Sequence, residues 1–274
     1  TVGSAFDFNG HDLLTLRPYT VNNGGFFGSG VFRNNNPGTA ATIGRDAGFA
    51  GPSAILFGGR GDIVVAGDLR NRGGLGGTLR KAGTGTVTLQ GATRATNDVS
   101  VRAGTLVCDY RNSSEPKLTL TNHFLNVRGA TVRFVGSDTT PVTENITELN
   151  GTESGVAQGA AALEIIAGSN QNVTLAAERL RLSQGDSLDI SLSGNGSGVA
   201  AFTNAFAPVN NGVTIENGAL GGNVTFNRRT WATVVNGNVQ GLPDGEFITD
   251  IAGAVSNSHV DIAGAIGVNT VTAN

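Results

Sequence analysis

The chain of 274 residues has no methionine, one cysteine, one tryptophan and only 14% charged residues. A single cysteine, Cys108, excludes an internal disulfide framework and any cysteine-built zinc site. Its place after Gly104-Thr105-Leu106-Val107 reads as a small apolar residue near the end of a strand. Without methionine, Thr1 is read as the start of a processed product or of a piece of something longer. Basic residues are almost all arginine, Lys81 and Lys117 being the exceptions, and they are scattered without aromatic interleaving. With a net charge of −3, the electrostatic footprint of a nucleic-acid binder is missing. No apolar run reaches the roughly 18 residues of a membrane-spanning helix, and no signal peptide is in view. Helix-rich composition is missing too, and the Cys and Trp pattern of immunoglobulin-type sandwiches is absent.

What is present is glycine, 42 residues of it, with asparagine at many corners. Both tolerate the positive φ that tight turns require. Between the turn signals the chain alternates apolar and polar residues with period two, the mark of a half-buried strand. Thr86-Val87-Thr88-Leu89-Gln90, Val99-Ser100-Val101-Arg102, Thr131-Val132-Arg133-Phe134, Leu188-Asp189-Ile190-Ser191-Leu192 and Val224-Thr225-Phe226 all follow it. Short strands with frequent turns fit either an antiparallel sandwich or a solenoid. The small, β-branched apolar face and the 6% aromatic content favour close-stacked coils.

Residues 79–107 sharpen this. They read L-x-K-x-G-x-G-T-V-T-L-x-G-A, then V-x-V-x-A-G-T-L-V, from Leu79, Lys81, Gly83, Gly85 to Leu89, Gly91 and Ala92 through Val99, Val101 and Ala103 to Val107. This stretch closely resembles the autotransporter-associated β-strand repeat of bacterial surface passengers. The usual Asn-Thr-Tyr-Thr-Gly corner of that family is replaced here by Thr93-Arg94-Ala95-Thr96-Asn97. Phe6 to Leu16 is similar to a D-x-N-G-x-x-L-T-L coil of long members, and Trp231-Ala232-Thr233 to an element further along in them. The resemblance implies an all-β, right-handed parallel β-helix (β-solenoid) with one or two protruding loops, located outside the cell or on the bacterial surface. It implies a stalk, fibre or adhesin.

The expected architecture is one continuous solenoid over 1–274, with coils of about 20–25 residues. Roughly a dozen coils at about 4.8 Å each would make a rod of some 55–60 Å. Residues 136–160 and 193–211 are expected to leave the rod as loops, and 160–179 to hold at most one helical turn, given Ala161-Ala162-Leu163-Glu164 and Leu175-Ala176-Ala177-Glu178. Neither end shows a polar or proline-rich cap, so the end coils are expected to stack on copies of the chain, head to tail, or to continue covalently into another repeat.

Candidate chemistry is thin. Gly185-Asp186-Ser187-Leu188 spells a hydrolase nucleophile block, but that family's Asp-x-x-His partner is missing, His259 following Ser256-Asn257-Ser258. Arg60-Gly61-Asp62 is an integrin-type tripeptide, and Gly58 to Asp62 falls one residue short of a calcium coil. Such short strings arise often by chance. His11, His123 and His259 have no partner at ligand spacing. Asp186 with Asp189, or Glu144 with Glu148, has the composition of a glycosidase acid pair, against the commoner reading of solvent-facing strand carboxylates. Six Asn-x-Ser/Thr sequons, at Asn112, Asn145, Asn150, Asn172, Asn195 and Asn223, are given no role. No catalytic residue, cofactor or metal is assigned. The main reading is a non-enzymatic surface module; the alternatives are a glycan-binding or glycan-cleaving β-helix of the tail-spike or polysaccharide-lyase kind, and an adhesin that grips a receptor through the two loops.

Overall fold

A computed structural model describes residues 5–14, 19–21, 32–44, 47–49, 55–71, 78–94, 98–118, 120–149, 159–182, 186–194, 196–204, 215–216, 219–220 and 224–243. Every regular element among them is a strand. The first rung carries β1 (Phe6–Asp7) and β2 (Tyr19–Val21), and the second β3 (Phe32–Asn34), β4 (Ala40–Ile43) and β5 (Ala47–Phe49). The third carries β6 (Ile55–Gly59), β7 (Asp62–Val65) and β8 (Leu69–Asn71); the fourth β9 (Leu79–Lys81), β10 (Thr86–Leu89) and β11 (Thr93–Arg94). Rungs five to eight pair β12 (Val99–Val101) with β13 (Thr105–Asp109), β14 (Leu120–Val127) with β15 (Thr131–Val135), β16 (Val142–Leu149) with β17 (Ala160–Ala167), and β18 (Val173–Leu180) with β19 (Ser187–Gly194). The ninth has β20 (Ala200–Asn204), the two-stranded pair β21 (Ile215–Glu216) and β22 (Ala219–Leu220), and β23 (Val224–Phe226). A hairpin of β24 (Thr230–Val235) and β25 (Asn238–Gly241) follows.

Like strands of successive rungs pair in parallel. Sheet A stacks β1, β3, β6, β9, β12, β14, β16, β18 and β20; sheet B stacks β4, β7, β10, β13, β15, β17, β19 and β23. A third side, sheet C, is formed by β2, β5, β8 and β11 in the first four rungs. This is a β-solenoid. Its nine described rungs span about 40 Å at roughly 4.8 Å each. Coil length varies more than expected, from the 19 residues between Val87 and Leu106 to the 36 between Ile190 and Phe226.

The period-two alternation sets the core. One inward row of sheet B runs Ala41, Ile63, Val87, Leu106, Val132, Leu163, Ile190, and all seven are at most 2% exposed. A second runs Ile43, Val65, Leu89, Cys108, Phe134, Ile165, so Cys108 is a buried apolar link in a column, as its position in the sequence suggests. In sheet A, Ile55, Leu79, Val99, Leu125, Leu149 and Leu180 form a third. Near the first rungs the column is aromatic: the Phe8 and Phe32 rings stack at 6.0 Å and Phe32 on Phe57 at 5.7 Å. Like on like at each position is what parallel, in-register rungs impose, and it removes apolar surface from water at about 25 cal/mol per Å².

Three expectations are corrected. Residues 136–160 are not a loop throughout: 142–149 form β16, which lies on β18 in register, while 151–158 fall outside the described residues. Within 193–211, Ala200–Asn204 form β20, and 205–211 fall outside the described residues. The helical turn in 160–179 is absent; Ala160–Ala167 and Val173–Leu180 are eight-residue strands, their helix propensity overridden because Leu163, Ile165 and Leu175 complete the core columns. The last described rung is also not bare. β24 pairs antiparallel with β23, β25 with β24, and β25 with β20, so a meander carries the edge of sheet B across to the edge of sheet A. Ala232, Val239 and Leu220 cover the end of the core there, each at most 2% exposed.

Candidate functional site

The corners between sheets A and B are the most specialised parts of the chain. Gly85 has an ordinary backbone conformation, yet a Cβ on it would stand 2.1 Å from the Gly61 carbonyl oxygen of the rung below. Gly83 needs its glycine twice: its φ is +81°, and a Cβ would stand 2.3 Å from Gly59 O. The glycines of the repeat-like stretch are therefore where one backbone rests directly on the next.

Aspartates do the second job. Asp12, Asp62, Asp68, Asp98 and Asp138 each accept a hydrogen bond from a backbone N–H of the following rung, at Thr42 (2.7 Å), Thr86 (2.7 Å), Ala92 (2.9 Å), Phe124 (3.0 Å) and Ser169 (2.6 Å). The bond from Ser169 holds the Asp138 carboxyl below its usual range. Asn34, fully buried, is the neutral version: its Oδ1 accepts from Gly10 and Asn36 N–H, and its Nδ2 donates to Thr39 and Asp62 carbonyls. These bonds satisfy N–H groups at corners where the ladder is interrupted.

The sequence-level candidates fall inside this scheme. Asp62 of Arg60-Gly61-Asp62 spends one carboxylate oxygen on Thr86, and Gly61 N–H donates to Asn34 O at 2.8 Å, which folds the tripeptide into a rung corner. Among the described residues no three His, Cys, Asp or Glu side chains converge on a metal-sized position. Ser187 opens β19 on the exposed face, Asp186 is buried and accepts from Gly159 N–H at 3.2 Å, and Gly185 and His259 lie outside the described residues. Asp189 is saturated by Ser191 Oγ (2.7 Å), Thr225 Oγ1 (2.8 Å) and Arg228 N–H (2.8 Å). Glu144 and Glu148 do not form an acid pair. Glu144 points into the core, whereas Glu148 lies against Arg181 (2.9 Å) and Arg179 (4.0 Å) in the outward register. Of the histidines, His11 is exposed, the His123 side chain is not described, and His259 lies outside the described residues.

Two further buried titratable groups, the lysines, were given no role by sequence reasoning. The only two lysines of the chain are both buried. Lys81 occupies the core column between Phe57 and Val101, and its Nζ donates to the carbonyls of Gly83 (2.7 Å), Ala103 (3.0 Å) and Ala82 (3.2 Å). Burial lowers its pKa to about 8, with Asp62 pulling the other way. Three tetrahedral donors match three carbonyls, which the planar fork of arginine does not.

Lys117 closes the third side of the helix beyond sheet C, donating to Gln90 O (2.7 Å) and Ser113 O (3.0 Å), its ammonium 5.2 Å from the Tyr110 ring centre. Burial lowers its pKa. Beside it, one oxygen of Glu144 accepts from Tyr110 Oη and from the Lys117 and Leu118 amides, the last at 3.1 Å. Burial raises the Glu144 carboxyl in spite of these donors, and it pushes the Tyr110 hydroxyl and the Cys108 thiol well up. The Glu144 oxygen, the Tyr110 hydroxyl and the Lys117 ammonium each already have a protein partner, so the chemistry of the cluster is that of a polar rivet. The one sequence signal for both sites was the rarity of lysine in a chain that otherwise uses arginine. Compared with protein-family models, with curated proteins and with solved structures, the chain matches none.

Proposed function

We propose that this chain is a non-enzymatic module of an extracellular bacterial fibre, stalk or adhesin, and that it works by stiffness. One observation carries the reading: the carboxylates that a catalytic site would need are spent on backbone N–H groups of neighbouring rungs, as at Asp12, Asp62, Asp68, Asp98 and Asp138. The resemblance of residues 79–107 to passenger repeats supports it, since Lys81, Gly83, Gly85, Val87 and Leu89 each serve rung-to-rung contact. Copies associate end to end through the first rung, where Phe6 and Leu14 are 48% and 62% exposed. At the last described rung, β20 and β23 are already paired by the β24–β25 hairpin. Sedimentation velocity and negative-stain imaging across a concentration series test this. Rods longer than one module are expected, and Phe6→Asp should return them to single modules of unchanged circular dichroism. Monodisperse short particles at high concentration, from the unaltered chain, would refute association.

A further inference from the structure

We propose that the outer face of sheet B binds an uncharged, extended polysaccharide laid along the helix axis, with Trp231 as its stacking platform. The face is built from register. Thr86, Thr105, Thr131, Ala162, Asp189 and Thr225 are successive partners in β10, β13, β15, β17, β19 and β23, one above another at about 4.8 Å. Trp231 of β24 stands directly opposite Thr225, and opposite residues of an antiparallel pair share a face. That face is the outer one, since Thr225 Oγ1 donates to Asp189 at 2.8 Å in the outward column. The only tryptophan of the chain therefore ends a column of hydroxyl groups. All seven residues are partly exposed, so a ligand in solvent reaches them. Among the described residues no hydrogen bond occupies the hydroxyls of Thr86, Thr105 and Thr131.

The chemistry of the column selects the occupant. A threonine hydroxyl both gives and takes hydrogen bonds, which suits sugar hydroxyls and calls for no charge. The indole offers a flat apolar face with a polar edge, onto which the C–H groups of a pyranose ring pack. An extended β-1,4-linked pyranose chain advances by close to one rung per ring, so successive sugars meet successive threonines. The charges of the face turn away an acidic chain. Arg133 lies against Glu164 at 2.6 Å, Arg228 reaches Glu164 (3.3 Å) and Asp189 (3.7 Å), and Arg111 holds Asp109 at 2.7 Å. Asp62, beside Thr86, adds a fourth carboxylate to the three arginines, which leaves one net negative charge. A uronate or phosphate would thus find no unpaired cation here. Nor is the face an apolar protein-docking surface: among the described residues the exposed large apolar side chains, Phe6, Leu14, Val199 and Val235, lie outside these columns. Binding here does not require end-to-end association.

Affinity electrophoresis in native gels containing glucomannan, polygalacturonate or dextran tests it, together with fluorescence titration by cellohexaose. The unaltered chain should be retarded by glucomannan and not by polygalacturonate or dextran. Because Trp231 is the only tryptophan, its emission reports on this site alone and should change saturably with cellohexaose. Trp231→Ala should weaken retention about tenfold, the worth of one aromatic contact. Thr105→Val, which keeps the shape and removes one hydroxyl, should weaken it about fivefold. Thr174→Val, on the outer face of sheet A, should leave it unchanged. Melting curves establish that each variant is folded, and the titration needs no variant. No retardation by glucomannan, equal retardation by dextran, retardation by polygalacturonate alone, unchanged emission with cellohexaose, or equal losses in Thr105→Val and Thr174→Val would each overturn the proposal.

Discussion

Gly85→Ala isolates the role of the glycine corners. Its backbone lies outside the left-handed region, so alanine adds only a methyl group, placed 2.1 Å from Gly61 O, 2.7 Å from Gly61 C and 2.9 Å from Arg60 O. Ordinary contact begins at 3.4 Å, so rungs three and four must separate locally by more than an ångström. That displacement strains the packing by about 1–3 kcal/mol. It also breaks the bonds from Gly85 N–H to Gly59 O (3.3 Å) and from Thr105 N–H to Gly85 O (3.5 Å), worth about 1 kcal/mol each net. The sum is roughly 3–5 kcal/mol, a large share of the 5–15 kcal/mol typical of a folded domain. Gly129→Ala is the control: its φ is +59° with nothing within 4 Å of the added carbon, so the cost is the left-handed penalty alone, about 1 kcal/mol. Urea unfolding followed by circular dichroism, at constant slope, reads both. Equal losses in the two variants would show that these glycines serve turn conformation and not close approach, and the reasoning would fail.

Lys81 predicts an alkaline signature. Its folded pKa of about 8 lies below the usual 10.5, so the fold resists protonation, and its contribution is complete above 10.5 and lost as pH falls through 8. Stability should therefore gain about 2–3 kcal/mol from this group between those limits, and Lys81→Met should flatten that slope in urea titrations; an unchanged slope would contradict the burial of the ammonium. Tyr110→Phe removes a donor from buried Glu144 and should cost about 1–2 kcal/mol in the same assay, whereas a neutral result would show that the carboxyl is satisfied without it. Cys108, fully buried with its thiol pKa pushed well up, should resist a thiol-specific chromogenic reagent at pH 8 until urea unfolds the chain; rapid labelling of the native protein would place it outside the core column.

The strands were legible wherever an apolar residue occupied every second position, as in Val87 and Leu89 or Leu188 and Ile190. Reading failed where a polar residue took an inward place. Glu144 breaks the alternation of β16, and without Tyr110 and the Lys117 amide in view nothing marks it as a core residue. Alanine-rich β17 and β18 look helical because propensity is local, while the columns that hold them are formed by residues about 27 to 31 positions away. The cap was signalled by Asn236-Gly237, whose two positive φ values, 50° and 78°, are those of a tight two-residue hairpin turn. As a turn signal among many it did not distinguish a reversal from a rung corner.

The rungs hold their neighbours through backbone and corner contacts, and the proposed function requires that the stack bear load. Optical-tweezers extension along the axis measures this directly. Coils of 19 to 36 residues, as between Val87 and Leu106 and between Ile190 and Phe226, should release successive lengths of roughly 65–120 Å. A single rupture that frees the whole chain at once, with no rung-sized steps, would contradict it.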